Sequence, residues 1–147
     1  MMHKRGDEYI VTPHAMAQGG DAVARMDGMA CFVNGALPGE QVRVVITDVQ
    51  KNFLKATVKD VIQPAHVRIP ARVPDAPHME WQHVDIAAQR QFKAQILHEQ
   101  LTYLGKLADI PVVAQHTASS PWHYRNTVHL LSLIHISEPT RPERISY

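Results

Sequence analysis

The stretch KNFLKATVKDV, residues 51–61, alternates with a period of two. Leu54, Ala56 and Val58 fall on one side of an extended chain, and Lys51, Phe53, Lys55, Thr57 and Lys59 on the other. A strand patterned this way buries its first face and opens its second. Three ammonium groups around an exposed aromatic can neutralise phosphates while a base stacks on the ring. The same lysines would also suit an ordinary solvated strand face, where they discourage edge pairing.

Working outward, the neighbouring segments also read as short strands. Tyr9–Thr12 (YIVT) is β-branched and aromatic, and Gly19-Gly20 supplies a loop. AVARM (22–26) and MACFV (29–33) flank Asp27-Gly28, a strong hairpin signal. Pro38-Gly39 marks a turn before QVRVVITDV (41–49). Five strands with no helical period predict a small, closed or partly open barrel of the OB type over residues 1–63. That region holds seven basic and seven acidic side chains, so any positive patch is local. Arg25 and Arg43 are further candidates for it. Cys31 sits in an apolar run without a neighbouring cation, which reads as a buried structural thiol rather than a nucleophile.

Composition bounds the remaining possibilities. The chain has 147 residues, 45% hydrophobic and 20% charged, which describes a globular protein. A formal net charge of +1 means that bulk charge announces no nucleic-acid partner. One cysteine rules out a disulfide within the chain and fits a reducing cytoplasm. No apolar run follows the basic N-terminus, and none approaches the roughly 18 residues of a membrane span. No membrane association is expected.

Residues 64–80 carry Pro64, Pro70, Pro74 and Pro77, which predicts a semi-rigid linker rather than a packed element. A helical period follows, with Ile86, Phe92, Ile96, Leu97, Leu101 and Leu104 in one apolar stripe. Asp85 is the expected N-cap and Gly105 the expected stop, giving a helix about 30 Å long. IPVVAQHTASSPWHYRNTVHL (110–130) then reads as strand, loop and strand around a polar–aromatic cluster at Trp122–Asn126. His78 and His83, five apart, are too little to read as a metal site.

Residues 17–64 resemble a TRAM domain: a Gly-Gly loop, D-x-V-A-R, the Asp-Gly turn, F-V-x-G-A-L-P-G-E, a long strand, a Lys-rich strand and a closing I-x-x-P. TRAM domains are OB-like RNA-binding modules attached to RNA-modifying enzymes, which favours the RNA reading of Lys51, Phe53 and Lys55. The order continues with Trp81-Gln82-His83, then Gln89, Phe92 and Lys93, then Ser120 to Tyr124-Arg125-Asn126. That order is similar to the front of the S-adenosylmethionine-dependent RNA uracil-5-methyltransferases of ribosomal or transfer RNA. The resemblance implies RNA contacts at Arg125 and Asn126 and a truncated α+β region over 81–130. In that family a cysteine thiolate adds to C6 of the uracil, C5 then takes the methyl group, and a carboxylate removes the C5 proton. No residue here matches that cysteine, that base or the cofactor loop, so no catalytic or cofactor-binding residue is assigned and the chain itself is expected to be inactive. The cysteines that hold an iron–sulfur cluster in many members are replaced by VPDAPHME (73–80), so no cluster is expected. RNA is the expected partner and DNA is not; nothing bears on oligomeric state. A stand-alone TRAM-type module without enzymatic activity is the alternative.

The last residues have no such reading. LSLIHISEPTR (131–141) fits neither period and resembles the translation of a transposase adaptor used in sequencing libraries. Residues 131–147 are therefore expected to be an artefactual tail on an N-terminal fragment.

Overall fold

The computed structural model describes residues 3–73 and 80–107, together with Ile110 and Trp122. Alternation and turn chemistry produce six strands: β1 (Glu8–Val11), β2 (Ala15–Met16), β3 (Ala22–Met26), β4 (Met29–Asn34), β5 (Gln41–Val49) and β6 (Phe53–Gln63). They form one sheet in the order β1-β5-β6-β4-β3-β2. β4 and β6 run parallel, and the other neighbours are antiparallel. The β3–β4 hairpin turns at Asp27 and Gly28, with φ of 47° and 81°. Two successive positive φ values match the right-handed twist of the flanking strands, which is why Asp-Gly serves here.

The sheet has six strands rather than the five expected, and of the closed and partly open forms it takes the open one. β1 and β2 are the two edges of the sheet, yet only Thr12, Pro13 and His14 separate them in the chain. Glu8–Val11 pairs with β5, and Ala15–Met16 pairs with β3. The single strand foreseen at 9–12 is thus one stretch, 8–16, that breaks at a proline and serves both edges. Pro13 has no amide hydrogen for a ladder. Its carbonyl accepts from Gly39 N at 2.9 Å, and His14 N donates to Val23 O at 2.8 Å. The arrangement is OB-like, but no ladder joins β1 to β2, so the sheet is not closed into a barrel.

The inner face gathers Val11, Met16, Ala22, Ala24, Cys31, Val33, Leu37, Val42, Val44, Ile46, Leu54 and Ala56 into one buried core. The alternation of residues 51–61 holds at Leu54 and Ala56; Val58 is only half-buried.

The Pro-rich segment is packed in its first half, unlike a free linker. Arg68 forms a bridge with Val84, Ile69 N donates to His83 O at 2.9 Å, and Asp85 N donates to Val67 O at 2.9 Å. Arg68 also reaches into the sheet domain and pairs with Glu40, whose side chain is fully buried. Proline density limits regular structure, but it does not prevent backbone and side-chain bonds between the prolines.

The helix α1 spans Ile86–Tyr103. Asp85 caps it as expected, its carboxylate accepting from Ala87 N at 2.9 Å and Ala88 N at 3.4 Å. The Gln89 side chain donates to the carbonyls of Trp81 and Val84, both at 3.0 Å. Phe92 meets the Trp81 ring edge to face at 6.0 Å, and Trp81 Nε1 donates to Gly20 O at 2.9 Å. A Cβ on Gly20 would lie 3.0 Å from that nitrogen, at a φ of 92°. The stripe packs through Phe92 and Ile96, whereas Leu97 and Leu104 are exposed. The positive φ beyond the helix falls on Lys106, at 51°, rather than on Gly105. The strand–loop–strand expected over 110–130, Arg125 and Asn126, and the tail at 131–147 lie outside the described residues, Ile110 and Trp122 apart.

Candidate nucleic-acid interface

The outer face of the sheet is built by register. Across β3, β4 and β6, one row places Arg25, Ala30 and Phe53 side by side, and the next places Val23, Phe32 and Lys55. Neighbours in a row share a face, and the inward positions between them, Ala24, Cys31 and Leu54, are buried. The Phe32 and Phe53 rings meet edge to face, with centroids 5.5 Å apart and planes at 81°. Both rings are half-buried. Lys55, beside Phe32 in its row, and Lys51, two positions before Phe53, are exposed, and neither forms a salt bridge among the described residues. Arg25 is exposed too, and its Nη1 approaches Gly28 O at 3.5 Å.

Phe32 was not legible as a site residue. Its alternation with Cys31 and Val33 put it on the outer face, but only the parallel β4–β6 pairing brings it to Lys55. Arg43 stands apart. It faces Asp60 across the β5–β6 ladder and binds it at 3.4 Å, seven positions along β6 from Phe53. At roughly 3.3 Å per residue that is about 23 Å. Lys59 likewise pairs with Glu8 at 2.5 Å. The sequence-expected cations therefore divide: Arg25 and Lys55 stand in rows with the aromatic pair and Lys51 lies two positions before Phe53, while Arg43 and Lys59 are partnered by carboxylates elsewhere.

Other chemistry-bearing groups are held inside. Burial pushes the Cys31 thiol up to about 11, so a thiolate is scarce at neutral pH. Burial also works to raise the Glu40 carboxyl. The Arg68 guanidinium and the amides of Ala65 and Leu37 outweigh it and hold the group below its ordinary value. His83 is lowered, first by burial and then by Arg68, against an opposing pull from Glu40. Among the described residues no group of three or more His, Cys, Asp or Glu could hold a metal ion. No described helix is long and apolar enough to cross a membrane.

A sheet of this topology is OB-like. Residues 4–59 match the family model "TRAM domain". The chain is also similar to bacterial proteins named RNA methyltransferases. An uncharacterized RNA methyltransferase of Corynebacterium diphtheriae is 31% identical over 131 residues, covering 86% of this chain and 31% of that protein. A 23S rRNA (uracil(1939)-C(5))-methyltransferase RlmD of Legionella pneumophila is 33% identical over 121 residues, covering 78% of this chain and 26% of that protein. The chain thus spans about a third or less of the length of these curated relatives. A conserved protein of Methanococcus maripaludis, solved in solution, is 38% identical, with a TM-score of 0.37, covering 39% of this chain and 81% of that one.

Proposed function

We propose that this chain is the RNA-binding part of an S-adenosylmethionine-dependent RNA (uracil-C5)-methyltransferase that acts in the cytoplasm on 23S ribosomal RNA. The observation that carries the reading is the Phe32–Phe53 pair on the outer face, in rows with Arg25 and Lys55 and with Lys51 two positions before Phe53. Cations there contact phosphates and aromatic faces contact bases, the combination that single-stranded binding surfaces use. The relatives' names supply the reaction and the ribosomal target. S-adenosylmethionine supplies the methyl group in that chemistry, and no described residue is assigned to hold it. Arg125 and Asn126 remain proposed RNA contacts through the Y-R-N resemblance. A module ending near residue 63 is disfavoured, because Arg68 and Trp81 bond back to the sheet domain.

The test is fluorescence anisotropy of the full chain with a labelled oligoribonucleotide across a salt series. Each phosphate-contacting lysine removed should flatten the log–log salt slope by about 0.7 to 0.9. An unchanged slope for the Lys51→Ala, Lys55→Ala double variant would refute the patch.

A further inference from the structure

We propose that residues 3–7 form a hook, pinned by His3, that carries Lys4 and Arg5 to the RNA as phosphate contacts at one end of the sheet. The proposal rests on the RNA-binding reading above and adds to it a second element, remote in sequence from Lys51 and Lys55.

Register brings the segments together. Glu8 pairs with Val45, Gly6 N donates to Ile46 O at 2.9 Å, and Ile46 N donates to Asp7 O at 2.9 Å. The chain before β1 therefore runs toward the β5–β6 turn, where Lys51 lies. β4 runs parallel to β6 with Ala30 beside Phe53, so the Asp27-Gly28 turn falls at that same end. Arg25 belongs there too, its Nη1 approaching Gly28 O at 3.5 Å.

Segments near a terminus ordinarily fray, but this one is anchored. The His3 side chain is only 4% exposed. Its Nδ1 lies 3.1 Å from the Tyr9 hydroxyl, its ring meets the Tyr9 ring edge to face at 5.3 Å, and its Nε2 lies 3.5 Å from Asp27 Oδ2. Lys4 and Arg5 follow directly, so their backbones lie within about 8 Å of that of His3. Lys4 N donates to Asp7 Oδ2 at 2.9 Å, and Asp7 N donates to Lys4 O at 3.2 Å. The turn so closed puts Gly6 at a φ of 94°, which glycine adopts without strain. Lys4 and Arg5 are exposed on it, and neither forms a salt bridge among the described residues. The carboxylates at this end are engaged: Asp7 by the Lys4 amide, Asp27 by His3, and Asp48 by the Gln50 side chain at 2.7 Å. Cations already held in place lose less freedom on meeting a phosphate than cations on a loose arm.

The experiment measures anisotropy of a labelled single-stranded oligoribonucleotide with the full chain across a salt series. The double variant Lys4→Ala, Arg5→Ala should flatten the log–log slope by about 1.4, two contacts at about 0.7 each on a single strand. His3→Ala, which keeps both cations, should weaken binding about three-fold. Removing Lys4 and Arg5 from that background should cost less than removing them from the wild-type chain. Tyr9→Phe deletes only the hydroxyl that faces Nδ1, and it replaces His3→Ala in the cycle if that variant melts abnormally. An unchanged slope for the Lys4, Arg5 double variant, in an assay where Lys51→Ala with Lys55→Ala flattens it, would overturn the hook and leave the patch. An equal cost of the removal in both backgrounds would overturn the role of His3. Failure of the wild-type chain to bind would remove the RNA-binding reading itself.

Discussion

Arg68 holds the buried carboxylate of Glu40 at both oxygens: its Nε donates to Oε1, and its Nη2 donates to Oε2 at 2.7 Å and to Gly35 O at 2.7 Å. Amides of Leu37 and Ala65 fill the remaining acceptor positions, at 3.0 and 3.2 Å. A carboxylate with no exposure tolerates burial only when paired in this way. Arg68→Met should therefore cost about 3 kcal/mol in urea denaturation, because it strands a buried charge. The double variant Glu40→Gln, Arg68→Met should cost less than that single change, since no unpaired charge is then buried and the amide oxygen still accepts from one of the two backbone donors.

The pair also sets an acid limit. Glu40 titrates below its ordinary value of 4.5 in the folded chain. Its contribution is then complete above 4.5 and is lost as pH falls through the folded value. Denaturation midpoints measured from pH 6 down to pH 3 should drop in the wild-type chain, and Glu40→Gln should flatten that drop.

His83 acts in a higher window. Its folded value lies below 6.5, so the unfolded chain binds more protons there and stability falls as pH drops from 6.5 through the folded value. His83→Asn should reduce the slope of stability against pH just below 6.5. An unchanged slope would show that the ring titrates as freely in the folded chain as in the unfolded one.

Partnered and unpartnered cations should behave differently toward RNA. Arg43→Ala and Lys59→Ala each free an acidic partner, Asp60 or Glu8, away from the aromatic pair. Their effect on the salt slope should be smaller than that of Lys51→Ala or Lys55→Ala in the same assay.

Cys31 should resist labelling. It is fully buried, and its thiol is pushed up to about 11. A thiol-reactive probe at pH 8 should leave the folded chain unmodified and react promptly in denaturant.

Local chemistry made several of these features readable in the sequence. Residues 51–61 declare their two faces by alternation, Asp27-Gly28 declares its turn, and Asp85 declares a helix start. What escaped depends on partners distant in the chain. A two-residue strand at Ala15–Met16 has no period to detect and exists because β3 pairs with it. Phe32 becomes a site residue through parallel pairing with a strand some twenty positions later. Proline density over residues 64–80 gave no sign that Arg68 would find a carboxylate in the sheet domain. Arg25 and Arg43 looked equivalent in sequence, and only the register separates them.

The stretch 8–16 has a consequence for biosynthesis. It leaves the ribosome before either of its partners, since β1 must wait for Val42–Val45 and β2 for Ala22–Val23. β2 can be seated almost at once, but β1 must wait for most of the sheet, and until then the β5 margin of the nascent sheet stands open to strand addition by other chains.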